Sequence, residues 1–371
     1  MIKPFKVSVP ESELIDLKER ISNTRWPDEI VNSGWKYGTN LSYLKELSYY
    51  WESQFEWRKI EQKINAYPNF TATINQFNIH FVHVKSQNKN AVPLLITHGW
   101  PGSFLEMFKL IDALTAMNFD VVVPSIPGFG FSEKITTPGV DYGFVADLWH
   151  QLMTGLGYDR YGVQGGDIGA GISIRLCQKH PASIIGLHLN YISDSYQPYL
   201  KPDEKLDDEV LAYKSLANEW EAKEAAYALV QSTKPLSLAY GLNDSPVGLG
   251  GWIIEKFNSW SDHAGNLEDI LTKEELLANV TLYWLTQTIH SSSRMYYEIR
   301  LNPLIFSESD YVDIPVGYAN FPKEIPTPPR SYIEKGLNII HWSELPKGGH
   351  FAALEQPVLL ANDIKSFFEK A

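Results

Sequence analysis

The spacing of apolar and polar positions predicts helices and a hairpin in the first 84 residues. A helix is predicted to begin near Glu11, and residues 41–64 show a helical period whose aromatic face packs on the rest of the protein. Residues 70–84 alternate apolar and polar positions as half-buried strands do, with Asn75 and Gln76 at a hairpin turn. These patterns predict an N-terminal helical region over residues 1–70, followed by strands.

Short apolar runs and helical patterns then alternate up to about residue 194. Val92–Thr97, Phe119–Pro124 and residues 184–192 are apolar runs of the buried-strand type. Residues 195–300 lose this alternation and show helical patterns at 206–229, 252–259 and 273–289, whereas strand and helix return after about residue 310. We therefore predict an α/β fold: a mostly parallel central sheet over residues 71–194 and 301–371, with a helical cap inserted between the two parts.

A glycine-rich turn follows the predicted strand that ends near residue 165. Its sequence, Gln164-Gly165-Gly166-Asp167-Ile168-Gly169, has the outline of a nucleophile elbow, with aspartate where the familiar motif has serine. Small neighbours let the backbone bend sharply and expose the central side chain. A carboxylate held there can attack carbon and form an ester. The alternative is a tight packing turn with a solvated or capping aspartate.

Two further loops contain the residues that a nucleophile elbow would need as partners. His98-Gly99-Trp100-Pro101 follows the first buried strand, where hydrolases place one N–H of an oxyanion hole; the residue after the nucleophile supplies the other. The donors here would be the N–H groups of Trp100 and Ile168. His350 lies late in the chain, in a glycine-containing loop between a strand and a helix, where the order nucleophile–acid–histidine places its base.

The acid of this set is expected between Asp167 and His350, directly after a strand. Glu324 ends an apolar stretch and would orient the imidazole by its far nitrogen. Asp194, after the apolar run 184–192, is the rival. Asp313 is less favoured, since it precedes its predicted strand.

With these motifs in place, the chain resembles an epoxide hydrolase of the microsomal type, within the α/β-hydrolase superfamily. The resemblance covers nearly the whole length and rests on several motifs: His98-Gly99-Trp100-Pro101-Gly102-Ser103, Gly165-Gly166-Asp167, residues 242–249, residues 317–324 and Gly348-Gly349-His350-Phe351, with residues 5–10, 17–21 and 25–27.

The resemblance implies roles for the matching residues. Asp167 would be the nucleophile, Glu324 the charge-relay acid in preference to Asp194, and His350 the general base. Tyr227 and Tyr296 would polarise the epoxide oxygen and donate a proton, although the neighbour Tyr297 makes the second assignment ambiguous. The product would be a vicinal diol, and the implied mechanism needs no metal and no cofactor.

The sequence departs from the family in two places. Mammalian members usually carry tryptophan directly after the nucleophile, whereas this chain has Ile168, which changes the pocket wall. Mammalian members also have an N-terminal membrane anchor, whereas no apolar run here approaches the ~20 residues that span a bilayer. We therefore expect a soluble, cytoplasmic protein.

Composition adds limits to this interpretation. The 371 residues exceed the usual size of one hydrophobic core, so two subdomains or one large decorated domain are expected. A net charge of −12 argues against nucleic-acid and anionic-membrane partners. The single cysteine, Cys177, excludes an internal disulfide and a cysteine-based metal site. Aromatic surface on the N-terminal region and the cap is compatible with a homodimer, without a dedicated interface signature.

Two alternatives stay open from the sequence. The same aspartate and histidine could serve a haloalkane-type dehalogenase, although Ile168 and the paired tyrosines weigh against it. The chain could also be a non-catalytic member that binds a small apolar ligand, although such a protein has no use for a complete Asp–Glu–His set. The motifs do not specify the natural substrate, which we expect to be a small hydrophobic epoxide.

Overall fold

The computed structural model describes residues 1–193 and 195–371. Its centre is a nine-stranded sheet in the order β1-β2-β3-β5-β4-β6-β7-β8-β9. The strands are β1 Ile2–Pro4, β2 Asn69–Ile74, β3 Phe77–Val84, β4 Val92–Thr97, β5 Phe119–Pro124, β6 Tyr161–Gly165, β7 Ile184–Leu189, β8 Val312–Asn320 and β9 Leu337–Glu344. The predicted strand 184–192 thus ends earlier, at Leu189.

The sheet is mostly parallel, as predicted. Strands β4 to β9 run parallel to their neighbours, whereas β1, β2 and β3 pair antiparallel and β3 also joins β5 antiparallel. The hairpin predicted at Asn75 and Gln76 joins β2 to β3, and both residues adopt the positive φ that such a turn requires.

Fifteen α-helices lie in the described ranges on either side of Asp194. They are α1 Glu11–Ser22, α2 Leu41–Ser53, α3 Trp57–Ala66, α4 Phe108–Ala116, α5 Tyr142–Gly155, α6 Asp167–Lys179, α7 Asp208–Glu224, α8 Ala226–Thr233, α9 Pro235–Leu242, α10 Pro246–Trp260, α11 Lys273–Thr286, α12 Ile289–Leu301, α13 Arg330–Ile333, α14 Ala352–Glu355 and α15 Pro357–Phe368. Short 3-10 helices lie at Phe104–Met107, Pro181–Ser183, Leu267–Asp269 and Glu308–Asp310.

The single helix predicted over residues 41–64 is wrong, because α2 and α3 are separated at residues 54–56. Trp51, Phe55 and Trp57 are all buried. In an uninterrupted helix Trp51 and Trp57 would lie about 120° apart around the axis. The break lets both indoles enter the same core, so burial of aromatic surface overrides the local helical period.

Six helices, α7 to α12, occupy the segment predicted as the cap. The patterns at 206–229, 252–259 and 273–289 correspond to α7 with part of α8, to α10 and to α11. Helices α9 and α12 were not predicted. The position expected for Asp313, before its strand, is wrong, since Asp313 lies inside β8.

The carboxyl ends of the parallel strands position the site. β4, β6 and β8 end at Thr97, Gly165 and Asn320, and each leads into one of the loops singled out by the sequence. Among the described residues, no helix has both the length and the apolar character needed to cross a membrane. Cys177 is buried on α6.

Candidate active site

Asp167 stands at a sharp strand-to-helix turn between β6 and α6. It is the first residue of α6 and has a φ of +49°, a conformation that side-chain-bearing residues rarely adopt. Close packing fixes this turn, because a Cβ on Gly169 would overlap the carbonyl oxygen of Thr97 and one on Gly165 would overlap the backbone of Gly169. The strained turn directs the carboxylate away from the sheet.

The loop after β4 meets this carboxylate. The backbone N–H of Trp100 donates a hydrogen bond to Oδ1 of Asp167 at 2.8 Å. Gly99 makes the approach possible, since a Cβ there would overlap the carboxylate. Ile168, whose N–H was predicted as the second donor, is buried and lines the larger cavity beside Asp167.

His350 joins Asp167 to Glu324. Its Nε2 lies 3.3 Å from Oδ2 of Asp167, and its Nδ1 lies 2.6 Å from Oε1 of Glu324. The side chains of His350 and Glu324 are only 3% and 2% exposed. Burial alone would lower the pKa of His350, but the carboxylates of Glu324 and Asp167 raise it well above its ordinary value. The imidazole is thus held between two carboxylates, and its own side chain is almost fully buried.

Of the two candidate acids that lie within the described residues, Glu324 is found beside His350 and Asp313 is not. Asp313 lies in β8, near its amino end and away from the carboxyl end that carries the site. Asp194 lies outside the described residues.

The loop that carries His350 is fixed by groups that the sequence patterns did not predict. The N–H of His350 donates to the carbonyl oxygen of Trp260 at 2.9 Å. The carboxylate of Glu355 accepts hydrogen bonds from the N–H groups of Asp262, Gly349 and Phe351 at 2.8–3.0 Å. A negative charge that collects three N–H donors is a strong positioning element. Gly349 and Phe351 are near Glu355 in sequence, whereas Asp262 is 93 residues away and joins the loop to the end of the cap.

Helix α11 holds the loop that carries Trp100. Asn279 donates to the carbonyl oxygen of Pro101 at 2.7 Å and accepts from the hydroxyl of Ser103 at 2.8 Å. The hydroxyl of Tyr283 donates to the carbonyl oxygen of Gly102 at 2.8 Å. The cap therefore fixes the loop whose N–H binds Asp167. Periodicity predicted α11 but not the role of these two residues.

The two tyrosines proposed by resemblance meet above the nucleophile. The rings of Tyr227 on α8 and Tyr296 on α12 have centroids 6.0 Å apart, and the ring of Trp100 stacks on Tyr227 at 5.3 Å. Burial, together with Tyr227 and the charge of Asp167, raises the pKa of Tyr296 well above its ordinary value. Tyr297 is exposed, whereas Tyr296 lines the cavity beside Asp167.

A cavity of about 310 Å³ lies between the cap and Asp167. Ile168, Tyr227 and Tyr296 line it near the carboxylate. Further walls are largely aromatic and aliphatic, and they include Tyr191, Trp220, Ile299 and Ile325. Its volume and lining suit a small, mainly apolar molecule. Over residues 1–193 and 195–371, no group of three or more His, Cys, Asp or Glu side chains is arranged to hold a metal ion.

Residues 2–107 match the family model described as "Epoxide hydrolase N terminus", and residues 92–237 match the model of the alpha/beta hydrolase fold. The "Epoxide hydrolase 1" of Oryctolagus cuniculus is 37% identical over 402 residues, which cover 99% of this chain and 88% of that protein. The chain belongs to the epoxide hydrolase family.

Solved structures of this family have the same architecture. The epoxide hydrolase of Aspergillus niger superposes with a TM-score of 0.89 at 31% identity, over 100% of this chain and 96% of that one. The juvenile hormone epoxide hydrolase of Bombyx mori superposes with a TM-score of 0.88 at 32% identity, over 100% and 95%. The predicted fold and the predicted enzyme class, an epoxide hydrolase, are thereby confirmed.

Proposed function

We propose that this enzyme converts a small apolar epoxide to a vicinal diol through an alkyl ester on Asp167. The observation that carries the proposal is the position of the Asp167 carboxylate, which meets the cavity below two tyrosines, a backbone N–H and the buried histidine. The Asp167 carboxylate faces the cavity beneath Tyr227 and Tyr296, accepts the Trp100 N–H at 2.8 Å, and lies 3.3 Å from the buried His350.

The first step forms the ester. A carboxylate oxygen of Asp167 attacks an epoxide carbon, and the bond from that carbon to the ring oxygen breaks. The electron pair moves to oxygen, which takes a proton from Tyr227 or Tyr296 and becomes the first hydroxyl. Both tyrosines line the cavity beside Asp167, which supports their role in stabilising the developing alkoxide.

The second step hydrolyses the ester. Water gives a proton to His350, and its oxygen attacks the carbonyl carbon of esterified Asp167. The Trp100 N–H and the proposed second donor, the N–H of Ile168, bind the oxyanion, a contribution of about 3 kcal/mol for one donor. The acyl–oxygen bond breaks, the leaving alkoxide takes the proton from His350, and the proton on the released Asp167 acid restores the tyrosine.

Esterification itself prepares His350 for its role. The negative charge of Asp167 helps to keep His350 protonated in the resting enzyme. An ester carries no charge, so its formation removes that contribution and lowers the His350 pKa. The imidazole then releases its proton to solvent and is a base while its substrate, the ester, is present, and it is protonated again when Asp167 regains its charge. Glu324 stabilises the imidazolium that forms during hydrolysis.

The proposal is tested with a panel of aryl and alkyl epoxides and three proteins: wild type, Asp167→Asn and His350→Gln. We expect diol from the wild type, no ester and no diol from Asp167→Asn, and ester without diol from His350→Gln, detected as added substrate mass on the peptide that contains Asp167. Halide release from haloalkanes without turnover of any epoxide would favour the dehalogenase alternative. Binding of epoxides by folded wild type, without ester or diol, would contradict both.

A further inference from the structure

A lysine is buried in the cap beside one of the two cavity tyrosines. Lys256 lies on α10, and its side chain is only 7% exposed. Its Nζ lies 4.7 Å from the centroid of the Tyr227 ring and 5.5 Å from the centroid of the Trp260 ring. An ammonium group is rarely buried unless it is paired. Its position against a ring that lines the catalytic cavity therefore calls for a functional explanation as well as a structural one.

Glu255 holds the ammonium group of Lys256 in place. The two side chains form an ion pair, and the other oxygen of Glu255 accepts a hydrogen bond from the hydroxyl of Ser259 at 2.7 Å. Glu224 also lies close enough to interact with the charge of Lys256. The Glu255 side chain is 19% exposed, so part of its charge is solvated, whereas the ammonium group lies against the aromatic rings. The lysine charge thus acts mainly on the buried side of the pair.

The two cavity tyrosines differ in the charges that surround them. In residues 1–193 and 195–371, no lysine or arginine lies over the ring of Tyr296, whereas Lys256 lies over that of Tyr227. Burial, the proximity of Tyr227 and Asp167, and a hydrogen bond with Tyr227 raise the pKa of Tyr296 well above its ordinary value. A phenol gives up its proton more readily when a nearby cation stabilises the phenolate. Tyr227 is therefore better suited than Tyr296 to donate a proton.

We propose that Lys256 is a positioning residue that makes Tyr227 the proton donor in epoxide opening and leaves Tyr296 as a hydrogen-bond donor. The inference rests on the proposed function. When the bond from carbon to the epoxide oxygen breaks, that oxygen takes the proton of the Tyr227 hydroxyl, and Tyr227 becomes a phenolate. The attraction of a cation for an aromatic ring increases when the ring gains a negative charge. Lys256 therefore stabilises the transition state for proton transfer more than the ground state.

Lys256 acts through its charge alone and keeps its own proton throughout the cycle. The proton that Tyr227 gives to the epoxide oxygen stays on the first hydroxyl of the diol. The proton on the released Asp167 acid then restores the Tyr227 hydroxyl after ester hydrolysis. Lys256 is therefore expected to affect ester formation, in which Tyr227 ionises, and to affect ester hydrolysis little.

The test measures both half-reactions by rapid mixing in Lys256→Met, which loses the charge, and in Lys256→Arg, which keeps it. The matched control is Lys273→Met, because Lys273 lies 6.0 Å from the ring centroid of Tyr50 and pairs with Glu46 at 2.5 Å, and none of these three lines the cavity. We expect Lys256→Met to slow ester formation about 10- to 30-fold and ester hydrolysis less than about threefold. Lys256→Arg should retain most of the rate of ester formation, and the control should be unchanged in both steps.

Double-mutant cycles identify the residue through which Lys256 acts. In Tyr227→Phe, which has no hydroxyl to ionise, Lys256→Met should slow ester formation by less than about threefold, whereas in Tyr296→Phe it should keep its full effect. A purely structural role would give the same slowing in both backgrounds. That result, or equal slowing of both half-reactions by Lys256→Met, would overturn the inference.

A titration of the two tyrosines tests the inference without any Lys256 variant. The ultraviolet tyrosinate band of wild type is compared with the bands of Tyr227→Phe and Tyr296→Phe, so that each phenol is assigned by difference. Tyr227 should ionise at lower pH than Tyr296, and the reverse order would overturn the inference even if Lys256→Met does not fold. Absence of ester in wild type with every epoxide would instead overturn the proposed function, and the order of the two ionisations would still be measured.

Discussion

The Glu324→Gln substitution tests the proposed chemistry most directly, because it removes one charge and little else. Glutamine has nearly the same volume and keeps an oxygen that can accept the His350 Nδ1–H, now 2.6 Å from the carboxylate. Both side chains are buried. The substitution therefore removes the attraction between the Glu324 carboxylate and the imidazolium that forms when His350 takes a proton from water.

The size of this attraction follows from the distance between the Glu324 carboxylate and the His350 imidazolium. With about 4 Å between the centres of charge and an effective dielectric constant of about 20, the attraction is about 4 kcal/mol. If the proton is half to fully transferred in the transition state, about 2–4 kcal/mol is lost, which is a ~30- to 1000-fold fall in the rate of ester hydrolysis. Ester formation does not require His350 as a base and should change less than about threefold.

Single-turnover kinetics with one epoxide measure the two rates separately, and Glu308→Gln, at an exposed position, serves as the control. The variant should accumulate ester under conditions in which wild type does not. Loss of the Glu324 charge also lowers the His350 pKa, so the acid limb of the hydrolysis profile should move to lower pH, since hydrolysis requires the neutral imidazole. Equal slowing of both half-reactions, or a hydrolysis rate within about fivefold of wild type, would refute the reasoning.

Further predictions follow from other contacts. Tyr227→Phe and Tyr296→Phe should each slow ester formation about 10- to 100-fold and spare hydrolysis, measured by the same kinetics; an unchanged rate in both would exclude proton donation by this pair. Gly99→Ala should place a methyl group on the Asp167 carboxylate and abolish ester formation, by about 100-fold or more, with unchanged circular dichroism; normal turnover would show that the loop can move aside. Asp363→Asn should destabilise the protein by about 2 kcal/mol at pH 7 in urea unfolding, because buried histidines donate to both of its oxygens at 2.9 Å. Burial raises the pKa of Asp363, but these hydrogen bonds outweigh it and hold the pKa below its ordinary value. The stabilisation by Asp363 is therefore present above about pH 4 and is lost as the pH falls further. A stability difference between Asp363→Asn and wild type that stays constant on acidification would contradict this.

Local sequence was enough to predict the elements that depend on neighbouring residues. The apolar runs Val92–Thr97 and Phe119–Pro124 are strands β4 and β5 with the predicted bounds. The elbow at Asp167 follows from small residues on both sides of one position. Even the hairpin at Asn75 and Gln76 is a property of two adjacent residues that tolerate positive φ.

The resemblance to the epoxide hydrolase family identified site residues that no local sequence pattern distinguishes. Tyr227 and Tyr296 are two of twenty tyrosines, and Glu324 competed with Asp194 and Asp313 until a family pattern was considered. The structure brings Glu324 to His350 because β8 and β9 are adjacent and parallel, so that the loops at their carboxyl ends meet.

Tertiary structure alone decided the contacts between segments far apart in the chain. Asn279 meets Ser103 across 176 positions, and the carboxylate of Glu355 accepts the N–H of Asp262 across 93 positions. The break between α2 and α3 has the same origin, since the shared core required both indoles on one side. The sequence by itself determined strands β4 and β5 and the elbow, which are set by short-range geometry, and its resemblance to a family supplied the class of chemistry. The positions of the cap, of the cavity beneath it and of the carboxylates beside His350 depend on packing between distant segments. Periodicity along a single chain does not determine those distances.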